Sequence, residues 1–288
     1  MKKRILSILL TLCMVLCLVP ISVFAEGGTA TGSAAILLGT DALNKTVNTA
    51  NAPTVYFGKN QENKPAAWRV IGYDGNGVTS SQGDITLLAA GAMGVIPFVD
   101  TILNNEYAPS NLKTAIDALA EKLTTEENTA VKKRTLTSGS YNGENTDCVA
   151  GAQVDNAVFW PLSTAEAFAV NQDLRIADPE HPSWASSCWW LRSPGYSNHD
   201  AATVRGDGSV VYYGNAINSW WCVRPAFNLN LNSVLFTSAA VGGKPDGGLT
   251  EVPEYTGNEW KLTLKDSNRN FAVTETTVSG DPGDTVTL

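Results

Sequence analysis

Acid–base chemistry has one obvious candidate in this sequence, His199 beside Asp200. A carboxylate can orient an imidazole, but a general base also needs a proton within hydrogen-bond reach. The 288 residues hold two His in all, and neither stands near a Ser or Cys motif. Asp173, Asp178 and Glu180 offer carboxyl groups for glycoside cleavage. That reaction needs a fixed separation between two of them, which spacing in a loop does not set. Cys148, Cys188 and Cys222 lack zinc-ligand spacing, with no C-x-x-C and too few His. No P-loop and no GxGxxG lies between a strand and a helix. The sequence is therefore read with no catalytic residue, no metal and no cofactor.

What would position a site is concentrated between Ser183 and Asn228, which holds five of the eight Trp: Trp184, Trp189, Trp190, Trp220 and Trp221. Two similar phrases bracket the stretch, Trp189-Trp190-Leu191-Arg192-Ser193-Pro194 and Trp221-Cys222-Val223-Arg224-Pro225. Each runs aromatic, apolar, Arg, Pro. Between them lie a polar run, a hairpin around Asp207-Gly208 and a second polar run. Large aromatics dominate cores, so Trp189, Trp190, Arg192, Arg224 and Pro225 are read as structural, the Arg side chains making buried hydrogen bonds. The competing reading is an aromatic platform for a ligand. Trp220 and Trp221 on a strand would face opposite ways, one to the core and one to solvent. A stiff base carrying polar loops suits binding better than catalysis. Cys188 and Cys222 flank the two phrases and are paired on that ground; three buried reduced thiols is the alternative. An odd count leaves one thiol over or bonded to another molecule.

The N-terminus carries its own signal. Met1-Lys2-Lys3-Arg4 is basic, Ile5 to Phe24 is apolar, and Val23-Phe24-Ala25 fits a cleavage site. This is the pattern of a secretory signal peptide over 1–25. Cys17 lacks the small residues that follow a lipoprotein cysteine. No later stretch is long and apolar enough to span a bilayer. Removing Lys2, Lys3 and Arg4 from the 20 basic residues leaves 17 against 28 acidic ones, a formal charge of −11. That balance argues against nucleic acid and anionic lipid as partners, both of which need basic patches.

Along the mature chain, 26–53 is a linker with a short edge segment. Thr54–Gly58, Trp68–Tyr73 and Asp84–Ala90 read as strands, the last two joined by a turn at Asp74-Gly75-Asn76-Gly77. Helical period begins after Ser110, with Leu112, Ala115, Ile116, Leu119 and Leu123 on one face. Thr124 with Glu127, and Ser163 with Glu166, form capping boxes that open two short helices. Lys132, Lys133 and Arg134 are read as a solvated helix end rather than a binding patch. Residues 241–254 form a Gly-Pro-Asp linker. Beyond it Trp260, Leu262 and Leu264 alternate with Lys261, Thr263 and Lys265 as a half-buried strand. With Phe271–Val273 and Thr285–Leu288, it reads as an incomplete Ig-like segment over 255–288, or as strands docked on the first domain.

Trp189 to Gly195, then Gly208-Ser209-Val210 and Val223-Arg224-Pro225-Ala226-Phe227, resemble a bacterial domain of unknown function common in secreted and surface proteins. The resemblance covers roughly Thr54 to Leu235. That domain is similar to the C-type lectin and formylglycine-generating-enzyme superfamily. The fold it implies is α+β over 54–240: an irregular antiparallel sheet with two main helices, near Asn111–Leu123 and Ser163–Val170. It also implies polar loops that face a ligand, with Tyr196, Asn198, His199, Asp200, Tyr212, Tyr213, Asn215, Asn218 and Trp220 as its contacts. Some proteins of this fold have loops diversified by retroelements, and Tyr196-Ser197-Asn198-His199-Asp200 has the matching residue types. The Glu-Pro-Asn and Trp-Asn-Asp triplets of calcium lectins are absent from the sequence. The function expected is a secreted or cell-surface module that binds an extracellular protein or glycan. The rivals are an oxidase or hydrolase like the formylglycine-generating enzymes, and a passive adhesin or stalk segment.

Overall fold

The computed structural model describes residues 36–37, 40–100, 104–177, 188–241, 244–245 and 257–265. The signal-like segment, Trp184, Asp178, Glu180 and the strands expected at 271–273 and 285–288 lie outside them. The chain is mostly β. A curled sheet of eleven strands has as its main path Ile36–Leu37, Val234–Val241, Glu259–Leu264, Thr54–Lys59, Pro65–Tyr73, Asp84–Ala89, Pro225–Asn230 and Trp160–Pro161. A second sheet of five strands runs Val210–Ala216, Asp200–Val204, Trp189–Pro194, Trp220–Cys222, Val95–Pro97. Arg134–Leu136 and Val154–Ala157 make a separate pair.

This corrects the expected C-type-lectin-like α+β fold with two main helices. The α-helices described are Asn111–Ala120 with ten residues, Thr125–Ala130 and Thr164–Ala169 with six each, and Gln172–Arg175 with four. The periodic face from Leu112 is real, and Leu112, Ile116 and Leu119 are buried. It spans under three turns, too little to form a layer against so many strands. Both capping boxes form as the sequence indicates, Thr124 with Glu127 and Ser163 with Glu166.

Local sequence explains the strands. Asp74 and Gly75 both take positive φ, 47° and 85°, as a two-residue hairpin turn of the mirror-image type requires. In the Asp207-Gly208 hairpin only Gly208 does, at 80°, while Arg205 N–H donates to Ser209 O at 2.9 Å. The central strands Asp84–Ala89 and Trp189–Pro194 are buried at every position. Such strands are covered on both faces and read as continuous apolar runs. Trp68, Phe57, Phe159 and Phe227 pack together within the core, with centroids 4.6–5.2 Å apart along their contacts. One continuous cluster joins these rings to Trp189, Trp190 and Leu191 of the second sheet. The strand Glu259–Leu264 lies inside the main sheet. It pairs antiparallel with Val234–Val241 and parallel with Thr54–Lys59, so it docks rather than starting apart. Trp260 and Leu262 are its buried face, as the alternation indicates.

Candidate functional site: a tyrosine ridge on a braced sheet

The Val210–Ala216 strand carries the ridge. Along it, Val211 pairs with Thr203 and Asn215 with Ala201, so four residues of advance on one strand meet two on the other. The surplus is a bulge, which breaks the usual alternation of faces. Tyr212 and Tyr213 are therefore side by side, with ring centroids 5.6 Å apart and planes at 80°. Gly214, at φ 95°, turns the bulge; a Cβ there would lie 2.9 Å from Ala201 O. Gly195 lets the neighbouring turn approach, since its Cβ would fall 2.6 Å from Tyr213 O. Across that gap Tyr196 N–H donates to Tyr213 O at 2.8 Å.

Two rings extend the ridge. Phe168, on the outer side of the Thr164–Ala169 helix, meets Tyr212 at 6.5 Å, and Tyr141 meets Tyr196 edge-on at 5.8 Å. Tyr196 is 78 % exposed, Tyr213 48 % and Phe168 41 %. Neither Phe168 nor Tyr141 was read as a contact from sequence. The signal available for Phe168 was a large apolar residue on the exposed side of a capped helix. Tyr141 sits in a polar loop and gave none.

The other candidates fall around this line. Asn198 and His199 are exposed at the tip of the turn after Pro194, and Asn218 is exposed on the next turn. Ile217 N–H donates to His199 O at 3.0 Å, tying the two turns together. Asp200 is half-buried, and its carboxylate accepts from Ser197 Oγ at 2.6 Å. That bond closes the turn. Asn215 is spent inside the sheet, donating to Thr203 Oγ1 at 2.6 Å. Trp220 is 66 % exposed while Trp221 packs on the core, the alternation expected of a strand. No described ring contact joins Trp220 to the tyrosines.

The base beneath the ridge is held by two buried Arg. Trp189, Trp190, Arg192, Arg224 and Pro225 are all buried. Arg192 grips Glu166 through both carboxylate oxygens, Nη2 to Oε1 at 2.9 Å and Nη1 to Oε2. It also donates to Pro161 O at 3.0 Å and reaches Asp147 at 3.1 Å. Arg134 adds a second cation, 2.7 Å from Glu166 Oε1, as an ion pair without hydrogen-bond alignment, and stacks over Trp160. Burial pushes the Glu166 carboxyl up, but Arg192's charge and hydrogen bonds, Arg134's charge and the Ser163 N–H outweigh it. The result is about 2. Arg224 donates to Ala89 O at 2.7 Å, Arg175 O at 2.8 Å, Leu174 O at 2.7 Å and Ala90 O at 3.2 Å. It thereby satisfies the last carbonyls of the Gln172–Arg175 helix and lies over the Trp189 ring. The Trp indoles are used likewise: Trp189 Nε1 donates to Arg175 O and Trp190 Nε1 to Ile96 O, both at 3.0 Å.

The expected Cys188–Cys222 disulfide is not formed; the cysteines described are thiols. The two backbones are joined instead by Cys222 N–H donating to Cys188 O at 2.8 Å. Burial pushes the Cys188 and Cys148 thiols up, the opposite of what a nucleophilic cysteine needs. Among the described residues no three His, Cys, Asp or Glu gather to hold a metal. No described helix is long and apolar enough to cross a membrane. The basic triplet is not a helix end: the helix stops at Ala130, and Lys132 and Arg134 each meet a carboxylate. The search of curated proteins and that of solved structures gave no match. Residues 96–231, which hold the ridge, both Arg and the Trp phrases, match the family model described as a domain of unknown function (DUF6273).

Proposed function

We propose that this chain is a secreted or cell-surface module that binds an extracellular protein through the tyrosine ridge. The observation that carries the reading is two groups of rings on a sheet braced from below, Phe168-Tyr212-Tyr213 and Tyr141-Tyr196, linked by the Tyr196 N–H to Tyr213 O hydrogen bond. Tyrosine supplies large contact area with few rotatable bonds, and neighbouring Ser and Asn supply adaptable hydrogen bonds, the composition of a protein-binding surface. The ring pairs at 80° and 83° share no plane, so they offer an uneven surface rather than a flat bed for a sugar face. The basic and apolar start of the chain supports export.

The test compares the wild-type chain with a Tyr196→Ala/Tyr213→Ala double variant of equal thermal midpoint. Both are presented to extracellular proteins of the source cells and to a glycan array. The reading expects one protein species to be retained by the wild type and weakened about tenfold or more by the variant, as loss of two aromatic anchors implies. Retention on sugars alone would replace the protein ligand with a glycan. Equal retention of the protein by both chains would remove the ridge as the contact surface.

A further inference from the structure

The rings of the ridge stand on separate segments, and Thr146 ties those segments together. Tyr141 lies on the turn 141–146, Tyr196 follows the Trp189–Pro194 strand, and Phe168 is on the Thr164–Ala169 helix. Thr146 is 1 % exposed, although Asn145 and Asp147 on either side of it are exposed. Its hydroxyl is used twice. Oγ1 accepts from Asn142 N–H at 2.8 Å and donates to Gly143 O at 2.7 Å. These bonds fold the turn directly after the Tyr141 ring.

The Thr146 carbonyl is used twice as well. It accepts from Ser193 Oγ at 2.9 Å and from Ala165 N–H at 3.3 Å. Ser193 Oγ in turn accepts from Thr164 N–H at 2.9 Å. Both N–H groups belong to the first turn of the Phe168 helix, where a backbone donor has no partner within the helix. The carbonyl thus sets the Tyr141 turn against the Phe168 helix and against Ser193, which stands three residues before Tyr196. The hydroxyl sets the shape of the turn itself. The edge-on contact of Tyr141 with Tyr196 lies at the far end of this chain of bonds.

We propose that Thr146 is a positioning residue of the ridge, its hydroxyl holding Tyr141 against Tyr196. Its part in binding rests on the reading of the ridge as a contact surface; its hold on the ring does not. Val has nearly the shape of Thr without the hydroxyl, and Ser keeps the hydroxyl. Nuclear Overhauser contacts between rings are compared in the full chain, Thr146→Val and Thr146→Ser. Wild type and Thr146→Ser should show the Tyr141–Tyr196 contact. Thr146→Val should lose it and exchange the Asn142 amide about tenfold faster, while the Tyr212–Tyr213 contact stays. Selective loss separates positioning from folding, since general unfolding would remove every ring contact together. Should Thr146→Val fail to fold, the wild type decides: a missing Tyr141–Tyr196 contact, or an Asn142 amide exchanging at the free rate, overturns the proposal. Retention of extracellular proteins of the source cells supplies the second readout. Thr146→Val should weaken it as much as Tyr141→Ala, about fivefold, and should add nothing in the Tyr141→Ala background. Further weakening there, or a Tyr141–Tyr196 contact that survives in Thr146→Val, would overturn the proposal. If the wild type retains no protein, the ridge reading fails, and the ring contacts alone uphold or overturn the role of Thr146.

Discussion

Glu166 shows how one side chain can fix several elements. Its carboxylate caps its own helix through Ser163 N–H and holds Arg192 in the core. Removing one partner of such a buried pair strands the other charge, at a cost of about 3–5 kcal/mol. Glu166→Gln should therefore lower stability at neutral pH by that order, measured by urea unfolding. The same pair sets a pH window. The carboxyl sits at about 2 when folded and at an ordinary carboxylate value when unfolded, so the unfolded chain binds the proton first as pH falls. The stabilisation is complete above about pH 4.5 and drains away toward pH 2, at roughly 1.4 kcal/mol per pH unit. Wild type should show this added slope and Glu166→Gln should lack it, so their urea midpoints should converge on acidification. A gap that stays constant across that window would mean the carboxylate is not held by the charges around it. Arg192 and Arg224 were legible as buried hydrogen-bonding groups because each lies between apolar residues and a Pro. Their partners were not, since Glu166, Pro161, Ala89 and Leu174 are distant in sequence.

At the scale of elements, the ridge depends on a bulge and two Gly. Gly214→Ala would place a methyl group against Ala201 O and Asp200 while keeping a φ that Ala resists. It should cost about 1–3 kcal/mol in urea unfolding. Tyr213→Ala, on the exposed side of the same strand, should change stability by only about 0.5 kcal/mol or less. If the two substitutions cost the same, the bulge is not the constraint described. Capping boxes, tight turns and the Trp260 strand could be read directly, because each depends on residues within a few positions of one another. The bulge could not: Tyr212-Tyr213-Gly214-Asn215 becomes a bulge only against Ala201–Thr203, a register set by tertiary pairing. The α+β fold class is what the lectin-like resemblance implies, and local pattern offers little to correct it: many strands here are two or three residues long and carry no period.

The molecule as a whole turns on where Glu259–Leu264 lies. Thr54 N–H donates to Asn258 O at 2.9 Å and Tyr56 OH to Glu259 Oε2 at 2.7 Å, so residues some 200 apart in sequence meet at the start of this strand. Trp260 is buried in the same cluster as Trp68, Trp189 and Trp190. A strand placed between two others cannot leave without exposing both, and the shared core passes the loss to the second sheet. Trp260→Ala should accordingly cost about 3–5 kcal/mol. It should do so as one cooperative transition, with indole fluorescence, near-ultraviolet dichroism and backbone dichroism sharing a midpoint. A chain ending at residue 256 should be less stable still, with Thr54–Lys59 left as an open edge prone to association. Were Glu259–Leu264 the start of an independent module, Trp260→Ala would leave the main midpoint in place and add a separate early transition. That pattern in the unfolding curves would separate the strand from the sheet it is described as completing.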